Sequence, residues 1–328
     1  MQGKLRCAVV GCGAIGRRHA AAVRDSRDVD LVVACGTDVA RTRTLSEAAY
    51  TDVGSLLMAQ RLDVVFVATP DHLHVEPMLA ALAAGCAVFC EKPLAMDTDG
   101  ARQMTDAAVR AGKGLAVDYN RRYGFSYAKA HALVRGGRIG EVTHAVLRVT
   151  DSTPPFVRGR GPHAFLFSML TNHIDLMRWF CGEVVSVHAR CSRPDKEGTF
   201  LDAVLSLSFA VGAVGAVGAI VGGWRDGQNR TIETMEVGGT RGAVAIEDVQ
   251  KRVRLHGLAA DTVEEFQPDA FCGGQSVFYD SLSAHVLDFL ARVACGDAPL
   301  VTGADGMGGL EIVTATIEFH RSSSALDV

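Results

Sequence analysis

Two textures of hydrophobic and polar positions divide the chain. In the first third, short apolar runs occur at 5–10, where only Arg6 interrupts, and at 31–35, 64–68, 87–90 and 115–117. Helical stretches at 15–24, 74–84 and 97–111 fall between them. A strand that is apolar at every position is covered on both faces, and alternation of such strands with helices gives a parallel sheet. The pattern predicts an α/β unit over 1–120, built on a doubly wound parallel sheet. Beyond a helix at 126–136, apolar residues alternate with polar ones at 143–150, 184–191, 201–209, 213–221, 231–237, 243–247 and 253–255. A helix at 172–180 interrupts these strands, and helices at 277–295 and 305–322 close the chain. Strands that follow one another without helices predict a large, open, mostly antiparallel sheet. The second domain is therefore expected to be α+β and to run from 121 to 328.

The segment 203–224 has no charged residue, a length that raises the question of a transmembrane helix. Its five glycines and the period-two alternation of Ala203, Leu205, Leu207 and Phe209 favour two strands joined near Val211–Gly212. Apolar residues make up 48% and charged residues 21%, the composition of a globular chain. A net charge of -4 argues against a nucleic-acid partner. Nine cysteines without a CxxC pair, and no secretory leader, point to reduced thiols in the cytoplasm.

The motif Gly11-Cys12-Gly13-Ala14-Ile15-Gly16 joins the first strand to the first helix. In that setting Gly11 makes the tight turn, Gly13 lets the backbone approach a diphosphate, and Gly16 lets helix and strand pack closely. The diphosphate would sit on free N–H groups at the helix start, which makes the unit a Rossmann dinucleotide-binding domain. The second strand of such a unit commonly ends in Asp or Glu, about 20 residues further on, to hold the ribose. Here Gly36 and Thr37 stand there, with Arg41 nearby. Without a carboxylate a 2′-phosphate is not repelled, and a guanidinium can pair with it. NADP(H) is therefore favoured, with NAD(H) possible if Asp38 takes the ribose role.

Four further segments fall into register: Thr69-Pro70-Asp71-His72-Leu73-His74, Cys90-Glu91-Lys92-Pro93-Leu94, Asp118-Tyr119-Asn120-Arg121-Arg122-Tyr123 and Met235–Gly242. Together with the glycine loop they resemble the glucose–fructose oxidoreductase, inositol dehydrogenase and MocA family over nearly the whole chain. That resemblance implies interconversion of a secondary alcohol and a ketone on a sugar, sugar nucleotide or cyclitol. It implies Lys92 beside the nicotinamide and the reacting oxygen, where an ammonium steadies developing alkoxide charge. It places Ala68, Thr69, Pro70 and His74 along the cofactor, and Glu91 and Asn120 near the nicotinamide ribose. Tyr119, Arg121 and Arg122 become candidates for substrate contact, the arginines equally for structural ion pairs. A homodimer or homotetramer through the second sheet is implied as well. No metal site is expected, because His72 and His74 lack a third ligand nearby in sequence.

The chain departs from the family pattern at the helix that ordinarily carries Asp-x-x-x-His. Asp175-Leu176-Met177-Arg178-Trp179 fixes the register, and it puts Ser168 and Asn172 where Asp and His are expected. His173 lies one position on, turned by about 100° if the helix is regular. Three readings stay open. His173 serves after a local adjustment of the helix; Lys92 moves the proton, with Asn172 only hydrogen-bonding substrate; or the chain binds a dinucleotide as a regulator without turnover. A lyase or glycosidase with transient oxidation on retained cofactor is a further alternative. The chain between Arg41 and Asp52 is also short, which predicts a truncated second helix.

Overall fold

A computed structural model describes residues 4–154, 160–210, 215–225, 227, 231–257, 263–268 and 277–323. It resolves into two compact units, Met1–Asn120 with Tyr279–Leu310, and Arg121–Phe278 with Glu311–Val328.

The first unit carries a six-stranded sheet of order β3-β2-β1-β4-β5-β6. Its strands are β1 (Leu5–Val10), β2 (Val29–Cys35), β3 (Ala49–Tyr50), β4 (Val64–Val67), β5 (Ala87–Cys90) and β6 (Leu115–Val117), and every pair is parallel. This is the doubly wound order, with the crossover beside β1 and β4. The helices α1 (Ala14–Asp25), α2 (Val39–Arg43), α3 (Val53–Ala59), α4 (Val75–Ala83) and α5 (Thr98–Ala111) follow the strands. α2 has only five residues, as the short spacing predicts. β3 and α3 were not foreseen; one has two residues and the other seven, too few to show a period.

The sequence assigns everything after 120 to the second domain, whereas residues 279–310 complete the first unit. The reason is packing. In α8 (Val277–Cys295), Leu282, Val286, Phe289 and Leu290 form one buried stripe. That stripe shares a core with Val64, Phe66, Ala87, Phe89 and Ala116 of the sheet. A sheet of this kind needs cover on both faces, and the chain supplies it from its far end.

The second unit begins with α6 (Phe125–Arg135) and holds an eight-stranded sheet of order β14-β13-β12-β11-β7-β10-β9-β8. Its members are β7 (Val142–Ser152), β8 (Val184–Cys191), β9 (Asp202–Phe209), β10 (Val217–Arg225), β11 (Ile232–Gly239), β12 (Gly242–Glu247), β13 (Arg252–Gly257) and β14 (Val263–Phe266). Only β7 and β10 pair in parallel. The uncharged segment is the antiparallel pair β9 and β10; its joining turn lies outside the described residues. No described helix is long and apolar enough to cross a membrane.

One face of this sheet carries α7 (Thr171–Cys181), entered through a π-helical turn at Leu166–Leu170. Two glycines of β10 permit the approach. A Cβ on Gly218 would lie 2.5 Å from the Met177 methyl, and one on Gly222 would lie 2.8 Å from Leu170. Glycine here serves close packing. The last helix, α9 (Gly303–Ser323), gives residues up to Leu310 to the first unit and the rest to the second.

Candidate active site

In the first unit the candidate residues gather at the carboxyl ends of β1, β4, β5 and β6, the edge where doubly wound sheets bind ligands. Gly11 takes φ +97°, and a Cβ there would lie 2.3 Å from the Ala68 carbonyl oxygen. A Cβ on Gly16 would collide with the Gly11 carbonyl at 1.8 Å. Around Gly13, by contrast, no heavy atom would lie within 4 Å of a Cβ. Gly13 caps α1 without a side chain, so the first N–H groups of that helix face open space, flanked by Cys12, Ala14 and Ile15. The loop fits a diphosphate.

At the end of β2, a Cβ on Gly36 would press on Thr42 Oγ1 at 2.9 Å and Cys12 Sγ at 3.0 Å. Beyond Thr37, Asp38 caps α2 by accepting from the Arg41 N–H at 3.0 Å. The Arg41 guanidinium also lies 3.4 Å from the Asp38 carboxylate, with both side chains about half exposed. The two rival ribose-end groups thus form one ion pair.

Ala68, Thr69 and Pro70 follow β4. His72 is exposed, whereas His74 is fully buried, with Nδ1 2.9 Å from the Pro93 carbonyl and Nε2 3.0 Å from the Thr69 carbonyl. His74 therefore ties the loop after β4 to the loop after β5. That second loop carries Glu91, Lys92 and a cis Lys92–Pro93 peptide, and the Lys92 side chain is half-buried. After β6, Tyr119 is fully buried; a Cβ on Gly309 would lie 2.7 Å from its hydroxyl oxygen. The Asn120 amide donates to Ser281 Oγ at 3.1 Å.

Behind Lys92 lies a cluster that the sequence reading did not identify. His19 Nε2 donates to Glu91 Oε1 at 2.7 Å and stands 4.0 Å from Asp118 Oδ2. His285 Nδ1 donates to Asp118 Oδ1 at 2.9 Å. His19, His285 and Asp118 are at most 3% exposed. Burial raises Glu91, yet the His19 hydrogen bond and the charges of His19 and Lys92 leave it below its ordinary range. Asp118 is pushed well up, first by burial and then by Glu91.

In the second unit Asn172 is buried, and its Oδ1 has no hydrogen-bond partner among the described residues. His173 points inward at 1% exposure. Its Nδ1 donates to the Met169 carbonyl at 2.9 Å, and its Nε2 stands 3.6 Å from Glu233 Oε2. Burial, then the Arg121 charge, push the His173 imidazole below its ordinary pKa. Glu233 is 1% exposed and accepts at Oε1 from Tyr127 and Gln250, each at 2.8 Å, while Arg121 lies 2.9 Å from Oε2. Burial opposes the Glu233 charge, but Arg121 first, then His173 and the Tyr127 hydroxyl, outweigh it and bring its pKa down to about 2. Arg122 forks onto Asp175, with Nε 2.8 Å from Oδ2, and its guanidinium stands 5.6 Å from the Trp179 ring centre. Both arginines are thus held in ion pairs within the second unit.

Glu233 escaped the sequence reading although a signal exists. It shares the inward phase of Met235 and Val237, and a carboxylate at a core position of a strand needs buried partners. Asp118 and His19 have weaker signals: Asp118 is one polar residue at the end of an apolar strand, and His19 follows Arg17 and Arg18 within α1.

Residues 5–119 match the GFO_IDH_MocA family, "Oxidoreductase family, NAD-binding Rossmann fold". Residues 127–245 match the "GFO/IDH/MocA C-terminal domain". A stretch of 144 residues is 35% identical to the D-glucoside 3-dehydrogenase of Escherichia coli, covering 42% of this chain and 41% of that protein. Over 92% of both chains the identity is 27% to the myo-inositol 2-dehydrogenase of Thermotoga maritima. The fold matches levoglucosan dehydrogenase in complex with NADH and levoglucosan at a TM-score of 0.85, with 20% identity over 97% of this chain and 97% of that one. With a diphosphate-shaped loop in one unit, an open antiparallel sheet in the other and matches across both in chain order, the protein belongs to the GFO/IDH/MocA family of NAD-binding oxidoreductases.

Proposed function

We propose that the chain interconverts a secondary alcohol and a ketone on a sugar, sugar nucleotide or cyclitol, with Lys92 at the reacting oxygen. The observation that carries this reading is the position of Lys92. It leaves β5, which lies between β4 and β6, at the ligand-binding edge, on a loop anchored to the neighbouring loop by His74. The nicotinamide cofactor, when bound, supplies the hydride acceptor or donor. The α1 N-terminus around Gly13 would hold its diphosphate, and Ala68, Thr69, Pro70, Glu91 and Asn120 would flank the rest. The Lys92 ammonium donates to the substrate oxygen, stabilises its negative charge as the carbonyl is reduced, and supplies the proton. In the reverse direction the neutral amine takes the hydroxyl proton.

Asn172 is assigned to a substrate hydroxyl, because an amide can donate and accept but cannot titrate. Tyr119, Arg121, Arg122 and His173 are assigned to the scaffold of the site, since each is enclosed or ion-paired. Lys92 rather than His173 then carries the proton. The regulator reading draws on the same Asn172, and it predicts dinucleotide binding without turnover on any polyol.

For the cofactor we infer a preference for NADP(H). Gly36 offers no carboxylate to repel a 2′-phosphate, and the Arg41 guanidinium is 53% exposed. Asp38 opposes this preference by pairing with Arg41. Titration of nucleotide-free protein with NADPH and NADH decides the matter: tighter NADPH binding is expected, and tighter NADH binding would overturn the inference. The same protein assayed on polyols tests the activity itself. For the oligomer, the outward face of the second sheet shows Val146, Val204, Val217 and Val221, each at least 41% exposed, with Val204 directly opposite Val221. We infer a homodimer or homotetramer through that face, which sedimentation would measure.

A further inference from the structure

Glu91 and Asp118 pose a problem of charge. One oxygen of each, together with His19 Nε2, lie within 4.8 Å of one another in a buried setting. Two ionised carboxylates cannot share so small a buried space without strong mutual repulsion, so one of the pair carries a proton.

The partners decide which one. Every element packed against the pair contributes. From α1, the His19 Nε2–H points at Glu91, and its Nδ1 has no hydrogen-bond partner among the described residues. From α8, the His285 Nδ1–H points at Asp118 Oδ1. From β5 comes the Cys90 thiol, kept protonated by burial and then by the nearby acids Glu91, Asp118 and Asp71. Lys92 follows Glu91 directly and supplies the positive charge. Glu91, with His19 donating and Lys92 adjacent, is the better place for the negative charge, and Asp118 for the proton. We propose that Asp118 keeps a proton at neutral pH in a hydrogen bond to Glu91, and that this one-proton pair fixes the charge beside Lys92 at minus one. Asp118 is then a positioning residue for the lysine.

The consequence for the reaction follows from the sign of the charge. A second negative charge would hold the Lys92 ammonium too firmly for it to release its proton. The pair prevents this at neutral pH. This role rests on Lys92 reacting as proposed above; the existence of the acid pair does not.

Asp118→Asn has the shape of the protonated acid: its carbonyl accepts from His285 and its amide donates to Glu91. Infrared spectroscopy of the full chain at neutral pH tests the pair without turnover. A carboxylic C=O band is expected in the wild type and absent in Asp118→Asn; a wild type without that band would overturn the proposal. Kinetics test the positioning role. Asp118→Ala should lower kcat more than about tenfold, with Asp118→Asn restoring it to within about threefold of wild type. In Asp118→Asn no second charge can develop at high pH. The alkaline limb of ketone reduction, which needs the ammonium, should therefore move down by about one pH unit. An unmoved limb, or an Asn variant as impaired as the Ala variant, would overturn the role. If Lys92→Ala kept its turnover, the lysine reading would fail, while the infrared band would still report on the pair.

Discussion

Each unit buries an ionic cluster, and the two are built to opposite ends. In the second unit Glu233 meets a guanidinium, a phenol and an amide, and its charge is locked in place. In the first, Glu91 and Asp118 meet two imidazoles and a lysine, with no guanidinium against them among the described residues. Arginine does not give up its proton in the working range, so a cluster centred on it is a fixed scaffold. Imidazoles, carboxyls and a lysine can all exchange protons, so their charge is adjustable. The adjustable cluster lies behind the residue assigned to the chemistry. The fixed one braces the helix whose family acid/base position here holds Asn172.

Substitutions should keep that contrast visible, and they are ordered by expected effect. Lys92→Ala should lower kcat by about 10²–10⁴-fold while leaving the thermal midpoint near the wild-type value. Full turnover in that variant would remove the reaction from the first unit. Glu233→Ala leaves the Arg121 charge buried without its partner, and should cost about 3–5 kcal/mol of stability in denaturant unfolding. An effect under about 1 kcal/mol would mean that the second cluster is no brace.

The same carboxylate has a pH signature. Its folded pKa of about 2 lies below the ordinary value of 4.5. Its contribution is therefore present above about pH 4.5 and lost as pH falls toward 2, on the order of 3 kcal/mol in all. Glu233→Gln should flatten that part of the stability–pH curve; an unchanged curve would contradict the assignment. His173→Gln should lower stability by about 1–2 kcal/mol without moving the pH profile of kcat. A moved profile would return the proton to His173. The smallest effect is expected at the surface, where Arg41→Ala should weaken NADPH binding by about tenfold and NADH binding hardly at all.

Much of this was legible in the chain. Short apolar runs revealed the parallel sheet, because a strand covered on both faces has no polar side to show. Alternation at 201–209 revealed β9, because one face of the second sheet packs on α7 while the other does not. The glycine loop was legible because its conformational demands are local. What escaped was non-local. Nothing near Asp118 signals that His285, 167 residues away, donates to it. Nothing in α8 says that its apolar stripe belongs to the earlier sheet. The displaced histidine was visible as a one-residue offset, but its burial against Met169 and Glu233 required β11 in place.

The return of residues 279–310 to the first unit has a consequence for synthesis. The ribosome delivers β1 to β6 early, yet Phe66 and Phe89 lack their cover until α8 emerges, after the second sheet has been translated. A fragment ending at 278 would therefore expose an aromatic sheet face and be prone to aggregate. The parallel sheet is completed only after the second sheet has been translated, so synthesis and folding of the first unit are separated by the whole of the second sheet.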